Sequence, residues 1–465
     1  MVYYTFIMAN TDTNLMQEIV ALAKRRGFIY QSSEIYGGLA SVYDYGPQGV
    51  ELLRNIRESW WNYFIHQKQN VVGIESQIFM HPDVWKASGH VDGFHDPLVD
   101  CKKCRNRFRA DHLVEGAIKG IDGDDYDNKG LQDLIMEKKI PCPHCGNFDW
   151  TDVRNFNLMF ATELGAVSDG DAKVYLRPET AQGMFVQFKN VMDTNRLKIP
   201  FGIGQIGKVF RNEITKGKFI FRTLEFEQME LQYFIKEDGW EETFEMWRGE
   251  IEKWYTDVLG IDKSKFIWKP HNPDKLAHYA KKAEDYEYQY SWGHDEVSGL
   301  HYRTDFDLST HQKHSGKSLE VLDQETNTSF VPHVIESTFG LNRVLLMLLT
   351  DAYTVESNRT VLKLSVKIAP YKAAIFPLLA NKPELVDKAR GVFDNLSETF
   401  NVAWDARGNI GKRYLAQDEI GTPYCITIDF DSLNDDTVTV RDRDTTNQER
   451  VNISKLAEKL QVLLS

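Results

Sequence analysis

Apolar residues recur every three or four positions in some stretches of the chain and every second position in others, and this contrast lays out its elements. Leu15 to Arg26 carries Ile19, Leu22 and Ala23 on one side and stops at Gly27, which predicts a short amphipathic helix. Gln48 to Gln69 reads as a longer helix, with Val50, Leu53, Trp60 and Phe64 at helical intervals, and the strand-like run Val71 to Ile74 follows. Phe160 to Val167 and Thr180 to Asn190 also read as helices. Glu237 to Leu259 is a further helix, whose Trp240, Phe244, Trp247, Ile251 and Trp254 form a stripe suited to a core. His271 to Tyr290, rich in Lys, Glu and Tyr, is expected to be an exposed helix, so that 237–300 forms a helical insertion.

A period of two marks the most informative stretch. Gln205 to Glu213 and Phe221 to Glu230 are strand-like runs joined by the polar turn Ile214 to Lys218, a predicted β-hairpin. Side chains alternate faces along a strand, so Arg211 and Glu213 share one face of the first run. On the second, Arg222, Phe226, Gln228 and Glu230 share a face, opposite the apolar Met229, Leu231, Tyr233 and Ile235. Guanidiniums that can fork onto phosphate oxygens, a flat ring and carboxylates on one wall suit a nucleotide together with a small zwitterion. A sheet with a solvated charged face would carry the same residues.

His301 to Leu308 reads as a strand, and Glu296 just before it as a turn residue. Val334 to Arg343 reads as a strand, a glycine turn and a helix start, and Val344 to Leu349 is apolar on all sides, as a buried helix is. A cation at a helix start opposes the helix dipole, so Arg343 points to a use other than capping. From Val361 the texture changes. Leu362, Leu364, Val366 and Ile368 alternate with polar residues, and helices near 385–400, 411–420 and 454–463 then alternate with strands at 402–404, 424–429 and 437–440. This pattern predicts a small, mainly parallel sheet covered by helices over 361–465. Cys425 falls in one of its strands as a buried thiol. Lys367, Lys412 and Arg413 are candidate RNA contacts.

Composition narrows the class. The 465 residues allow about three domains, and 42% hydrophobic with 26% charged residues is ordinary for a globular protein. The longest apolar run, Val344 to Leu349, is far too short to cross a bilayer. Met1 to Met8 is a poor signal peptide, Met8 is an alternative start, and a cytoplasmic protein is expected. A net charge of −13 argues against general nucleic-acid affinity, so any RNA must bind through local basic patches. Cys101-Lys-Lys-Cys104 and Cys142-Pro-His-Cys145-Gly146 are two thiolate pairs on tight turns, together the four soft ligands of a closed structural Zn²⁺ site within 100–150. A redox pair would need only one of them. A helix is expected between the pairs, near Leu131 to Lys138.

Phe210-Arg211-Asn212-Glu213, a loop, then Arg222-x-x-Glu225-Phe226 resembles motif 2 of the class II aminoacyl-tRNA synthetases. Arg177-Pro178-Glu179-Thr180-Ala181-Gln182-Gly183, Phe226 to Glu230 and Met80 to His90 resemble the dimeric, single-chain type of glycyl-tRNA synthetase, and the resemblance runs from about Met16 to the C-terminus. It implies an α+β catalytic domain over 1–360, an antiparallel sheet flanked by helices and carrying the zinc-knuckle insertion, followed by an α/β anticodon-binding domain. It implies a homodimer through a helix and strand resembling motif 1, with ATP, Mg²⁺, glycine and tRNA(Gly) as ligands and no membrane. Arg211 would hold the α-phosphate and Arg343, the motif 3 arginine, the outer phosphates with Arg222. Phe226 would stack on adenine and Glu213 accept from its amino group. Asn212, Phe221, Glu225, Glu296, Val297 and Gly340 complete the implied ATP site, Glu225 beside metal. Glycine would be met by Glu179, Glu230 and Glu336 around its ammonium, with Arg109, Phe226, Glu227, Gln228 and Thr338. Three carboxylates so placed are expected to be strained without ligand. Glu336-Ser337-Thr338 stands where the family usually reads Glu-Pro-Ser, and Thr338 adds a methyl to a pocket for the smallest amino acid. A synthetase for another small amino acid, or a synthetase-like accessory protein, are the competing readings.

Overall fold

The computed structural model describes residues 12–165, 173–214, 217–277 and 279–464. Seven strands form the central sheet: β1 (Val71–Gly73), β2 (Phe201–Phe210), β3 (Glu225–Ile235), β4 (Phe266–Pro270), β5 (Lys282–Tyr290), β6 (Gly293–Thr304) and β7 (His333–Gly340). Their spatial order is β4-β5-β6-β7-β3-β2-β1, antiparallel except where β1 runs parallel to β2 at one edge. The β2–β3 pair is the expected hairpin, in register from Phe201 opposite Phe234 to Phe210 opposite Glu225. Its first strand ends at Phe210, so Arg211, Asn212 and Glu213 lie just past it; Thr215 and Lys216 of the turn lie outside the described residues.

One face of this sheet is dry. Met229, Leu231 and Tyr233 of β3 pack with Ile335 and Phe339 of β7 against α1 (Pro47–Trp61) and α2 (Trp240–Lys253), which contribute Trp60, Phe244, Trp247 and Ile251. Both helices continue as a π-helical turn, Asn62–His66 and Trp254–Val258, placing Phe64 and Trp254 in the same core. Burying a large side chain is worth about 1.5–3 kcal/mol, so this layer fixes the sheet's register and with it the opposite, polar face. The helix α3 (Leu341–Ala352) follows β7 directly, and Val344 to Leu349 are all buried, as their uniform apolarity predicts.

Several expectations change. His271 to Tyr290 is not a helix: β5 spans Lys282–Tyr290, and β4, β5 and β6 belong to the seven-stranded sheet, so 237–300 is a helix followed by sheet rather than a helical insertion. Tyr286, Tyr288 and Tyr290 alternate toward the core, which is the period that decides. Glu296 lies within β6, not in a turn, and the strand expected to reach Leu308 ends at Thr304, where the helix Phe306–Ser315 begins. Ala161–Glu163 is a strand paired with Lys173–Tyr175, against the helix expected from Phe160; Val167 lies outside the described residues. Val50 is 40% exposed rather than part of the helix's buried stripe.

The C-terminal unit has five strands, β8 (Ala373–Pro377), β9 (Val402–Trp404), β10 (Tyr424–Ile428), β11 (Thr437–Asp442) and β12 (Gln448–Asn452), in the order β9-β8-β10-β11-β12. Only the β9–β8 and β8–β10 pairs are parallel, so the sheet is mixed, and β8 and β12 were not expected. The alternation from Val361 makes a strand only over Thr360–Leu362. Leu362, Leu364 and Ile368 are buried in the core of the larger unit, and turns bend the chain between them. Arg413 is buried, its guanidinium donating to the carbonyls of Pro377, Ala406, Arg407 and Gly408, which removes it from the candidate RNA contacts.

Candidate active site

The polar face of the sheet is assembled by strand register. Glu230 stands opposite Thr338, and the buried amide residue Gln232 opposite Glu336, across β3–β7; Gly299 stands opposite Thr338, and His301 opposite Glu336, across β6–β7. Cross-strand partners share a face, so carboxylates far apart in sequence become neighbours. The cavity above them has a volume of about 210 Å³. It is lined by Glu179, Arg211, Glu213, Phe221, Arg222, Phe226, Gln228, Glu230, Glu296, Glu336, Thr338, Gly340 and Arg343, thirteen of the predicted site residues. Ile220, Thr223, Tyr279, His301 and Asn342 also line it.

Arginines gather at one end. Arg211 donates from Nε to the carbonyl of Pro178 at 3.0 Å, and its guanidinium lies 5.4 Å from the ring centre of Phe226 and 5.5 Å from that of Phe94. Arg343 lies 4.4 Å above the Phe221 ring and pairs with Glu296 at 2.7 Å. Arg222 comes no closer than 3.9 Å to Glu213. Arg211 and Arg343 sit on aromatic surface, and Arg211 and Arg222 have few ties, open to an anion.

Carboxylates gather at the other end. Glu336 is met by Arg303 at 3.0 Å and by His301 Nδ1 at 3.0 Å. Arg303 is 1% exposed, gives Asp307 two N–H groups at 2.7 and 2.9 Å, and lies 3.9 Å from the Tyr279 ring centre. Glu179 accepts from Gln182 at 2.9 Å and lies 3.4 Å from His90 Nε2, whose Nδ1 is 2.8 Å from Ser88 Oγ. Burial disfavours the charge on Glu179, yet His90 and Arg303 outweigh it and hold its pKa near 2. Glu336 is likewise held far below the carboxylate range, burial being outweighed by Arg303 and His301. Glu230 goes the other way: burial and the charges of Glu336 and Glu179 push it well up. The cluster expected to lack a cation thus contains a fixed one, which corrects the expectation that ligand alone relieves it. Arg303, Tyr279, His301 and His90 escaped the sequence reading.

Five predicted site residues lie elsewhere. Val297 points into the core on the dry face of β6. Glu227, on the same dry side of β3, takes Arg57 of α1 in a two-pronged pair at 2.8 and 2.9 Å. Glu225 is exposed and pairs with Lys208 at 2.9 Å. Arg109 and Asn212 line a larger groove of about 660 Å³ walled by the cysteine-bearing insertion, which adjoins the cavity at Glu213, and Arg109 is tied to Asp111 and Asp96. Thr338 keeps its place in the cavity wall. Its methyl lies 3.1 Å from where a Cβ on Gly299 would stand, so the departure from serine is accommodated over a glycine.

The four cysteine sulfurs of Cys101, Cys104, Cys142 and Cys145 lie within 4.8 Å of one another, with Cys101–Cys145 at 3.6 Å and Cys104–Cys142 at 3.7 Å. A tetrahedron with metal–sulfur bonds of about 2.3 Å has edges of about 3.8 Å, so the donor set fits a tetrahedral metal. The two turns match: Arg105 N donates to Cys101 O and Gly146 N to Cys142 O, both at 2.8 Å and both with positive φ. The helix Asn128–Glu137 lies between the pairs, as expected.

Residues 160–352 match the tRNA synthetase class II core domain (G, H, P, S and T), residues 121–158 the glycyl-tRNA synthetase insertion domain 1, and residues 372–463 an anticodon binding domain. A glycine–tRNA ligase of Chlorobaculum tepidum is 51% identical over 468 residues, covering 96% of this chain and 99% of its own. The chain belongs to the glycine–tRNA ligase family. Other glycine–tRNA ligases, from Alkaliphilus oremlandii and Clostridium acetobutylicum, are 49% and 48% identical over 96% and 97% of this chain, and 97% and 99% of their own. Family and fold agree: the class II core spans β2 to α3, and the two remaining matches fall on the cysteine-bearing insertion and the five-stranded unit. Among the described residues no helix is long and apolar enough to cross a membrane.

Proposed function

We propose that the cavity activates glycine with ATP to glycyl-adenylate and passes the glycyl group to the 3′ end of tRNA(Gly). One observation carries this reading: a single 210 Å³ cavity has three arginines, beside Glu213 and Glu296, at one end and Glu179, Glu230 and Glu336 at the other. ATP brings a polyanion and glycine a cation, and each end offers the opposite charge. A glycine carboxylate oxygen attacks the α-phosphorus; the new P–O bond forms as the bond to the bridging oxygen breaks, and pyrophosphate leaves. The carboxylate is already ionised at neutral pH, so the step needs positioning and charge neutralisation rather than a general base. A terminal ribose hydroxyl of the tRNA then attacks the carbonyl carbon, and AMP leaves.

Arg211 meets the α-phosphate; Arg222 and Arg343 take the outer phosphates; Phe226 stacks on adenine and Glu213 accepts from its amino group. Mg²⁺ supplies further neutralisation when bound with ATP, and Glu296, in the cavity wall beside Arg343, is the carboxylate suited to it. Glu179, Glu230 and Glu336 surround the ammonium. A single methylene is worth only about 1–3 kcal/mol, so larger amino acids must be excluded by shape, and Thr338 over Gly299 supplies wall there. Amino-acid-dependent ATP–pyrophosphate exchange tests the reading. Exchange with glycine, and none with alanine, serine, threonine or proline, is expected; exchange with a different member of that panel would reassign the pocket.

The insertion cysteines are read as a structural Zn²⁺ site, with all four thiolates as ligands. About one zinc per chain in the purified protein is expected, and a folded, active, metal-free chain would remove it. The protein is further read as a homodimer of the single-chain type. Ile35 and Tyr36, nearly 90% exposed, stand with Leu39 and the exposed Val50 of α1 as apolar surface suited to a second copy. Light scattering at the monomer mass would refute this.

A further inference from the structure

We infer that Glu230 is an un-ionised carboxylic acid in the empty cavity, and that glycine's ammonium drives its proton into solvent as it binds. The inference rests on the reading of this cavity as the glycine site. Its basis is a count of charges and of hydrogen-bond donors. Four acidic side chains, Glu179, Glu230, Glu336 and Asp307, crowd one region; Arg303 is the permanent cation bonded to them, and the buried Arg177, a second guanidinium near Glu230, gives its hydrogen bonds to backbone carbonyls instead. Asp307 takes two of the Arg303 N–H groups and Glu336 one, leaving Glu230 none in that array.

The groups facing Glu230 come from every neighbouring element. Its own strand gives Gln228 and Gln232; the segment before Ala181 gives Arg177, Glu179 and Thr180; β7 gives Glu336; β6 gives His301 and Arg303. Beyond these stand Asp307 and His311 of the following helix, His90, and Tyr279. Arg177 commits its guanidinium to the carbonyls of Lys208 and Ser76. The groups that donate to Glu230 are neutral, the hydroxyl of Thr180 and the amide of Gln232, and its third side-chain hydrogen-bond partner is the carboxylate of Glu336. That amide also donates to Glu336, at 2.6 Å against 2.9 Å to Glu230, so one NH₂ bridges both acids. Two ionised carboxylates sharing one amide, each under 5% exposed, would repel without compensation. A proton on Glu230 removes the conflict. Burial and the charges of Glu336 and Glu179 act in the same direction.

An ammonium seated among these groups supplies the missing cation and favours the ionised acid. The O–H bond of Glu230 breaks, the electron pair stays on the carboxylate, and one proton passes to buffer per glycine bound. By linkage, affinity for glycine then rises with pH, up to tenfold per unit where release is complete.

The test is calorimetric titration of glycine into the full-length, metal-loaded protein near neutral pH, in buffers of different ionisation enthalpy. Release approaching one proton per site is expected in the wild type and in His90→Gln and His301→Gln. In Glu230→Gln, which keeps the contacts to Thr180 and Gln232, none is expected. Wild-type binding heats independent of buffer overturn the inference, as does release that persists in Glu230→Gln, which would assign the proton to another group. Where the Gln variant binds too weakly to titrate, the wild-type glycine KM in exchange decides: it must fall as pH rises from about 6 to about 8, and a flat profile overturns the inference. Absence of glycine binding to the wild type overturns the parent reading and this inference together.

Discussion

The two ends of the cavity are built on different principles. The arginine end comes from two local patterns, the β2–β3 hairpin and the start of α3; Arg211 and Arg343 rest on aromatic rings, and Arg222 has only a distant partner in Glu213. The carboxylate end draws on His90, Glu179, Glu230, Tyr279, Arg303 and Glu336, contributed by separate segments, and nearly every polar atom there is tied. An arginine keeps its charge wherever it sits and can wait half-exposed for a phosphate. A buried carboxylate cannot wait alone, so the protein neutralises it with Arg303, with a histidine or with a proton. The arginine end is therefore open and the carboxylate end preorganised.

This contrast can be broken at chosen points. The largest effect is expected from Arg303→Met, which strands Glu336 and Asp307 as buried charges and should cost about 3–5 kcal/mol of stability, read by denaturant unfolding. Arg211→Ala should leave the unfolding midpoint in place but lower exchange about 100- to 1,000-fold, the scale of losing one preorganised charge-stabilising group. A smaller, pH-dependent effect belongs to Glu179, whose pKa falls from an ordinary 4.5 to about 2 in the folded state. A lowered acid contributes stability that is complete above the unfolded value and lost as pH falls from there toward the folded value. Glu179→Gln should therefore flatten the loss of stability between about pH 4.5 and pH 2, measured by acid unfolding. Glu225→Gln, which removes an exposed ion pair away from the cavity, should change exchange less than about twofold.

Much of the arginine end was legible because its residues travel with strong local patterns: an alternating hairpin, and an all-apolar helix with a cation at its start. Alternation put Glu230 on the hairpin's polar wall, whereas Glu179 and Glu336, and the grouping of all three, were reached only through family resemblance, since nothing local brings them together. Arg303 gave no signal, because an arginine four residues before an aspartate reads as a surface pair until the end of β6 buries both. Tyr279 was hidden for a different reason. The Lys and Glu content of 271–290 favoured a helix, whereas the tyrosines at 286, 288 and 290 kept the strand period. The alternation at Leu362 to Ile368 misled in reverse, since turns can also bury every second side chain. Glu227 follows from the pleat, since it neighbours cavity residues in sequence and faces away from them; Val297 does not, because a bulge between Glu296 and Ser298 breaks the alternation and turns it into the core.

The division of labour between the two ends is tested most directly by the KM values for ATP and for glycine in the exchange assay, for Arg343→Lys and Glu336→Gln side by side. The account predicts that Arg343→Lys raises the KM for ATP and leaves that for glycine nearly unchanged, while Glu336→Gln does the reverse. A parallel rise of both constants in both variants would contradict it, because the cavity would then hold its ligands as one undivided site.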